Sequence, residues 1–165
     1  MEKHLIPGRK ILDLGTGSGA LAELLRARGY KVTGIDVANR VTFGSDPIIY
    51  DGKTLPFKDY AFDHVLLITV LHHCQYPERI LEEAARVSRD KVFVLEDIYD
   101  NKVMEFLTKT VDSLVNFEFL GHPHTNKTRS EWESHFRDLG LRIAEEESLR
   151  LMGIFWQIWY VLSVK

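Results

Sequence analysis

Apolar positions along the chain recur at two spacings, and the two spacings alternate. Short apolar runs predict strands over residues 10–14, 31–36, 48–50, 61–69 and 91–96. Apolar residues three and four positions apart predict helices over residues 18–28, 77–89, 102–118 and 130–139. Strands that alternate with helices indicate a mostly parallel sheet with helices on both of its faces.

The end of the chain departs from this alternation. The last predicted helix has a capping-box spacing at Ser130 and Glu133, so it is expected to begin there. Two strands follow without a helix between them, over residues 141–147 and 153–164, so one of them should run antiparallel to the rest. The aromatic run Phe155–Tyr160 alternates at strand spacing, which predicts a strand buried on both faces. Contact with a membrane surface or with a second copy is the alternative for this run.

Length and charge narrow the classes of function. A chain of 165 residues is about one domain, and 21 basic against 24 acidic residues give a net charge of −3. No nucleic acid partner is therefore expected. The only cysteine, Cys74, excludes a disulfide framework and fits a reducing cytoplasm, which is the expected location. No signal peptide is recognised, and the apolar stretch over residues 153–164 is too short for a transmembrane helix.

A glycine-rich loop, Asp13–Gly19, joins the first predicted strand to the first helix. Its G-x-G-x-G spacing differs from the dinucleotide fingerprint, and Ala20 and Leu21 replace the Lys-Ser/Thr pair of a phosphate loop. Asp36 ends the second strand about 20 residues further on, where a carboxylate can accept hydrogen bonds from ribose hydroxyls. The pattern indicates a nucleoside site, with a tight turn that binds no ligand as the alternative.

These segments resemble the class I S-adenosylmethionine-dependent methyltransferases, in particular the methyltransferase type 11 group. The resemblance rests on ILDLGTGSGALAELLRARGYKVTGIDVA and YDGKTLPFKDYAFDHVLLITVLHH, and continues through PERILEEAARVSRDKVFVLEDIY and TRSEWESHFRDLGLRI. It implies a single domain over residues 1–165 with a Rossmann-like, doubly wound α/β fold. The sheet would be seven-stranded and mostly parallel with an antiparallel last strand, inside a three-layer αβα sandwich. S-adenosylmethionine would be the cofactor and S-adenosylhomocysteine the product.

The resemblance also implies which residues hold the cofactor. The glycine loop would contact its methionine end, with Asp13 orienting the loop and close backbone approach at Gly15, Thr16, Gly17 and Gly19. Asp36 would hold the ribose hydroxyls and Val37 would pack on the adenine. Around the same ring, Asp51 would accept from the amino group and Gly52 would donate a backbone N–H. Thr69 would lie beside the methionine portion.

Two departures from the family pattern affect how a ligand is enclosed. The family usually has a helix between the positions of Asp36 and Asp51, so here the wall beside the adenine should be thin and the ribose exposed. The usual N-terminal cover is also missing, because the first strand starts within about ten residues of Met1. A substrate lid is therefore expected over residues 99–130, or from a partner chain.

Catalytic candidates lie in two segments. His72 and His73 follow the fourth strand, at the expected rim of the substrate cavity, and His122 and His124 lie in the polar loop GHPHTNKT. Asp97 and Tyr99 are further candidates at the carboxyl edge of the sheet. For each of the four histidines, a purely structural role is the alternative. His122 and His124 have chelating spacing, but no obvious third ligand accompanies them, so no metal is predicted.

Methyl transfer mainly requires alignment of the acceptor with the methyl group, and a base only when the acceptor loses a proton. We therefore expect a methyltransferase that acts on a small molecule, as a monomer or homodimer. The alternative is a cofactor-binding regulatory or catalytically inactive module. The glycine spacing disfavours a nicotinamide dehydrogenase, and TVLHH after the fourth strand disfavours methylation of DNA base nitrogens.

Overall fold

A computed structural model describes residues 2–98, 127–151 and 155–164 of the chain. The strands are β1 Lys10–Leu14, β2 Lys31–Asp36, β3 Ile48–Ile49, β4 Phe62–Ile68, β5 Ser88–Ile98, β6 Arg142–Leu151 and β7 Phe155–Ser163. The α-helices among the described residues are α1 Ala20–Ala27, α2 Pro77–Val87 and α3 Arg129–Asp138. Short 3₁₀ turns cover Glu2–His4 and Leu71–His73.

The seven strands form one sheet in the order β3-β2-β1-β4-β5-β7-β6. Strands β1 to β5 pair in parallel, whereas β7 runs antiparallel to both of its neighbours, β5 and β6. The predicted sheet with an antiparallel last strand is thus confirmed. The carboxyl ends of β1, β2, β4 and β5 meet along one edge, which is where ligands bind in open α/β sheets.

Helices cover both faces of the sheet, which confirms the three-layer sandwich. On one face, α2 and α3 bury a cluster that includes Leu81, Trp132 and Phe136 against β1, β4, β5 and β7. On the other face, Leu25 of α1 packs with Phe93 and other strand residues. The prediction of a helix after β1 holds, although α1 is shorter than expected because Gly19 precedes it with a left-handed φ of 81°.

Strand β7 is buried on both faces, as its alternation predicts. Ile158, Tyr160 and Leu162 belong to the cluster under α2 and α3, and Trp159 and Val161 belong to the cluster under α1. Its central position between β5 and β6 accounts for an apolar sequence on both sides.

The expected start of the last helix at Ser130 is wrong, because the helix cap is Thr128. The Thr128 backbone N–H donates to Glu131 Oε2 at 2.7 Å, and the Glu131 N–H donates back to Thr128 Oγ1 at 3.4 Å. Both halves of a capping box are therefore present two residues earlier than expected. Glu133, the partner expected for Ser130, instead accepts from Arg129 Nε at 2.9 Å.

Some predictions concern residues outside the described part of the chain. These are the helix over residues 102–118, most of the GHPHTNKT loop, the residues 99–126 of the expected lid and the start of the final strand at residue 153. Among the helices that the structure describes, none is long and apolar enough to cross a membrane.

Candidate functional site

The glycine loop turns sharply at the carboxyl end of β1 and is tied to β2. The backbone N–H groups of Gly15 and Thr16 both donate to the carbonyl oxygen of Ile35, at 2.8 and 3.2 Å. Gly15 has a φ of 76°, and a Cβ there would lie 2.5 Å from Val70 Cγ2. Glycine is required at this position because the turn after β4 packs directly on the loop.

Asp13 lies under the loop and is 2% exposed. Its Oδ2 accepts from Thr16 Oγ1 at 2.7 Å, so the pair braces the loop from below. Burial raises the pKa of Asp13, although the hydrogen bond from Thr16 opposes that change. The expected role of Asp13 in orienting the loop is consistent with this contact.

Gly17 differs from the two neighbouring loop glycines because the space beside it is open. A Cβ at Gly17 would find only the carbonyl oxygen of Gly15, at 3.9 Å, whereas a Cβ at Gly19 would overlap the carbonyl oxygen of Phe43. The Gly19 side is closed because the backbone N–H groups of Thr42 and Phe43 donate to the Ser18 carbonyl, both at 3.0 Å. A ligand can therefore approach the loop backbone at Gly17.

Asp36 connects the end of β2 to the glycine loop. Its Oδ2 accepts from the Gly17 N–H at 2.9 Å, and its Oδ1 accepts from the Val37 and Ala38 N–H groups at 2.7 and 3.3 Å. A carboxylate offers roughly four acceptor positions, so capacity remains for a ligand hydroxyl. Asp36 is partly exposed at the sheet edge, as a ribose-binding residue must be.

The predicted adenine residues also come together. Val37 is 56% exposed, so its apolar side chain is accessible to a ligand. A Cβ at Gly52 would lie 3.2 Å from Val37 Cγ1, so Gly52 and Val37 are neighbours. Asp51 Oδ1 accepts from the N–H groups of Thr54 and Lys53 at 2.9 and 2.8 Å, which lowers the pKa of Asp51.

Thr69 begins the turn after β4 and holds a strained backbone conformation. Its φ is 54°, the left-handed region that β-branched residues rarely enter. The Thr69 N–H donates to the Leu95 carbonyl, and its hydroxyl donates to the Ile68 carbonyl, both at 2.7 Å. Such strain persists only where the surroundings determine the conformation, and it is common at ligand sites.

For Glu96, sequence reasoning left two alternatives open, a site residue at this edge or a strand-end residue satisfied by the backbone. Its side chain is 0% exposed. Oε1 accepts from the Val70 and Leu71 N–H groups at 3.0 and 2.7 Å, and Oε2 lies 2.5 Å from His72 Nδ1. The available signal was a carboxylate directly after the apolar run VFVL, since buried charges require partners.

The candidate histidines after β4 have different surroundings. His72 is 1% exposed, so its ring is buried against Glu96 rather than lying at an open rim. His73 is partly buried, and its ring centroid lies 4.1 Å from that of His72. Cys74 Sγ donates to the Val70 carbonyl at 3.3 Å, and burial raises the pKa of its thiol to about 12. Burial therefore disfavours the thiolate form of Cys74.

The remaining candidates are less well defined. Asp97 Oδ1 accepts from Gln157 Nε2 at 2.9 Å, across the β5–β7 pair. Tyr99, His122 and His124 lie outside the described residues, so their roles stay predictions. Across residues 2–98, 127–151 and 155–164, no three His, Cys, Asp or Glu side chains are grouped to hold a metal ion.

The glycine loop, the acidic end of β2 and the turn after β4 all lie within one stretch that matches a known family. Residues 12–95, just over half of the chain, match the family model described as a methyltransferase domain. The chain belongs to this methyltransferase domain family. The resemblance to the type 11 group is thereby confirmed.

A curated methyltransferase is similar to the chain over more residues than the family model matches. The chain is 30% identical over 132 residues to the demethylmenaquinone methyltransferase of Thermotoga maritima, which covers 70% of the chain and 58% of that relative. The chain spans about half the length of the curated relatives it matches.

Solved structures share the fold. A chain from the complex between the Haloferax volcanii Trm112 methyltransferase activator and a protein described as a methyltransferase superposes with a TM-score of 0.77 at 22% identity. That match covers 98% of this chain and 84% of the other. The magnesium protoporphyrin IX methyltransferase of Synechocystis with bound S-adenosylhomocysteine superposes with a TM-score of 0.68 at 19% identity, over 94% of this chain and 74% of the other.

Proposed function

We propose that this methyltransferase-family domain binds S-adenosylmethionine and transfers its methyl group to a small molecule. The observation that carries the proposal is the open space beside Gly17, next to a carboxylate with remaining acceptor capacity at Asp36.

At this edge, the described residues offer contacts for each part of an adenosyl cofactor. The loop backbone at Gly17 would take the methionine end, and Asp36 would accept from the ribose hydroxyls. Val37 offers exposed apolar surface for the adenine, with Gly52 and Asp51 beside it. When bound, the cofactor supplies an activated methyl group. The protein's own contribution is to hold it and align an acceptor with it.

A general base is not required for every acceptor, so the proposal does not depend on one. His72 Nδ1 is engaged with Glu96 in the interior, which favours a structural role for that ring. His73, His122 and His124 remain the candidates for contact with an acceptor. Thr69 would lie beside the methionine portion, at the start of the turn that leads to His73.

The acceptor is proposed to be a small molecule rather than a nucleic acid. A net charge of −3 gives no general attraction to phosphate backbones, and the relative from Thermotoga maritima is named for methylation of a quinone precursor. The only cysteine, Cys74, is a free thiol, which suits the reducing cytoplasm that we propose as its location.

A module that binds cofactor without turnover is the second candidate. One solved structure with this fold comes from a complex with a methyltransferase activator, which favours a need for an accessory chain. We propose a monomer or homodimer for the chain alone. These assemblies differ in mass, and light scattering during size-exclusion chromatography distinguishes them.

The experiment that tests turnover is a metabolite screen with methyl-labelled cofactor. Label should move to one small-molecule pool and S-adenosylhomocysteine should accumulate in step with it. The matched control is Gly17→Val, which fills the proposed cofactor space. Binding of the cofactor with no transfer to any pool, in the presence or absence of cell extract, would favour the second candidate.

A further inference from the structure

Glu96 is a charged side chain in the interior, at the point where β4 and β5 end. It continues the alternation of Val92 and Val94, whose side chains pack on the face covered by α2 and α3. Burying an ionised carboxylate is costly unless donors surround it. The residues that donate to Glu96 therefore show which part of the backbone this carboxylate holds in place.

Within the described part of the chain, three consecutive residues of the turn after β4 donate to Glu96. They are the N–H groups of Val70 and Leu71 on one carboxylate oxygen and Nδ1 of His72 on the other. Hydrogen bonds to a charged group are among the stronger ones in proteins. One side chain thus sets the path of the backbone immediately after Thr69.

This turn is also in contact with the glycine loop. The Val70 side chain occupies the space where a Cβ at Gly15 would lie, 2.5 Å from Val70 Cγ2. Thr69, the preceding residue, holds its left-handed φ of 54°. If Val70 moved, it would therefore no longer support the glycine loop, which faces the proposed cofactor. The same movement would release the strain at Thr69.

We propose that Glu96 is a positioning residue that clamps the turn over residues 69–72 against the glycine loop, with the His72 ring as its third donor. The inference rests on the proposed function, because the clamped turn borders the proposed methionine end of the cofactor. It assigns His72 to the clamp rather than to proton transfer. Glu96 and His72 act on the ligand only through the backbone that they hold.

The first test replaces Glu96 in two ways. Glu96→Leu removes every acceptor, whereas Glu96→Gln keeps one oxygen for the two backbone N–H groups. Glu96→Leu should weaken S-adenosylhomocysteine binding in calorimetry about tenfold, the loss expected for one strong hydrogen bond. Glu96→Gln should stay within about threefold of wild type.

Asp63 supplies a matched control far from the site. It is also buried, and its carboxylate accepts from the Lys10 N–H at 2.9 Å and from Arg9 at 3.1 Å, but at the amino-terminal edge of the sheet. Asp63→Leu should lower thermal stability and leave the affinity for S-adenosylhomocysteine unchanged. A general loss of stability would weaken binding in both variants, whereas the clamp predicts weaker binding only in Glu96→Leu.

The second test uses His72 and does not depend on the folding of Glu96→Leu. Asparagine retains a side-chain N–H near the position of Nδ1, and phenylalanine retains the ring without a donor. His72→Asn should bind S-adenosylhomocysteine within about threefold of wild type, and His72→Phe about tenfold more weakly. A general base would show no such difference in product affinity, so equal affinities for the two variants overturn the clamp.

Failure of the clamp and failure of the proposed function give different results. If wild type does not bind S-adenosylhomocysteine, the proposed function fails. The clamp is then tested by hydrogen exchange of the Val70 and Leu71 amides, which should speed up in His72→Phe and stay slow in Asp63→Leu. Unchanged exchange, or wild-type affinity in folded Glu96→Leu, overturns the clamp whatever the function.

Discussion

Gly17 and Gly19 have the same backbone requirement and opposite surroundings. Both have a positive φ, 52° and 81°, so either would be strained by a side chain. Only Gly19 is also enclosed, because the chain after β2 crosses the start of α1 there. The loop is therefore open to a ligand at Gly17 and packed against the protein backbone at Gly19.

We expect Gly17→Ala to weaken S-adenosylmethionine binding more than tenfold at a stability cost of about 1 kcal/mol, the typical left-handed penalty. Gly19→Ala should cost clearly more stability, because the new methyl group overlaps the Phe43 carbonyl. Calorimetry and urea unfolding measure the two effects. Gly29→Ala is the matched control, since Gly29 has a φ of 86° and nothing within 4 Å of the added Cβ.

At the scale of single residues, the sequence identified the polar groups that follow each strand but not their contacts. Asp13, Asp36 and Thr69 lie at the carboxyl ends of β1, β2 and β4, as the sequence predicts. The contact between Val70 and Gly15 and the donors around Glu96 join residues far apart in the chain. Such pairs depend on the register of β1, β4 and β5, which local patterns do not specify.

At the scale of elements, two residues near the start of α3 satisfy the capping-box spacing. The segment TRSEWE contains two overlapping capping-box spacings, Thr128 with Glu131 and Ser130 with Glu133. The earlier pair forms, which leaves Glu133 free to pair with Arg129 one turn away. Either start would place Trp132 and Phe136 on the buried face, so hydrophobic periodicity could not decide between them.

Thr128→Ala should lower the free energy of unfolding by about 1 kcal/mol, the usual cost of losing an N-cap. Ser130→Ala, which changes the residue that the sequence favoured, should change it by less than about 0.5 kcal/mol. Chemical denaturation of both variants provides the comparison. Equal destabilisation by the two substitutions would contradict the assignment of the cap to Thr128.

Helix α2 is attached to the preceding loop through a buried carboxylate. Glu83 Oε2 accepts from the Leu55 N–H at 2.7 Å, and Arg86 donates to both Glu83 oxygens while also reaching the Phe57 carbonyl at 2.8 Å. The hydrogen bond from Arg86 is the main reason that the pKa of Glu83 lies below its usual value. The Arg86 pKa is raised by the same contact.

A lowered pKa in the folded state means that ionised Glu83 stabilises the fold above its unfolded pKa of about 4.3. That contribution is lost as the pH falls through the folded pKa. Glu83→Gln should therefore be less stable than wild type at pH 7, and the difference should shrink below about pH 4. Urea unfolding across this range checks the prediction, and a difference that stays constant with pH would contradict it.

At the scale of the whole molecule, alternating patterns were sufficient to predict the strands, the helices on both faces and the antiparallel closing strand. The family resemblance added the number of strands and the antiparallel direction of the last one, whereas the order of the strands was not predicted and comes from the structure. Element ends were less accurate: β3 has only Ile48–Ile49, and β5 begins at Ser88, directly after α2. Edge strands and helix-to-strand junctions depend on neighbours in space, which explains these differences.

The molecule as a whole presents a sheet edge at which the loops after β1, β2 and β4 converge. Asp36 joins two of these loops, because it ends β2 and accepts from the Gly17 N–H. The third loop reaches the first through Val70 and Gly15. We propose that one adenosyl ligand lies across this edge and that Asp36 accepts hydrogen bonds from its ribose.

Calorimetric titration of S-adenosylhomocysteine into wild type and Asp36→Ala tests this placement most directly. Wild type should bind one molecule per chain, and Asp36→Ala should bind at least about tenfold more weakly while remaining folded, since charge-assisted hydrogen bonds contribute ~1.5–3 kcal/mol. Asp46→Ala is the control, because Asp46 lies in the connection that follows β2 and its Oδ1 accepts from Asn39 Nδ2 at 3.0 Å. Equal affinity of wild type and Asp36→Ala, or no binding by wild type, would contradict the account.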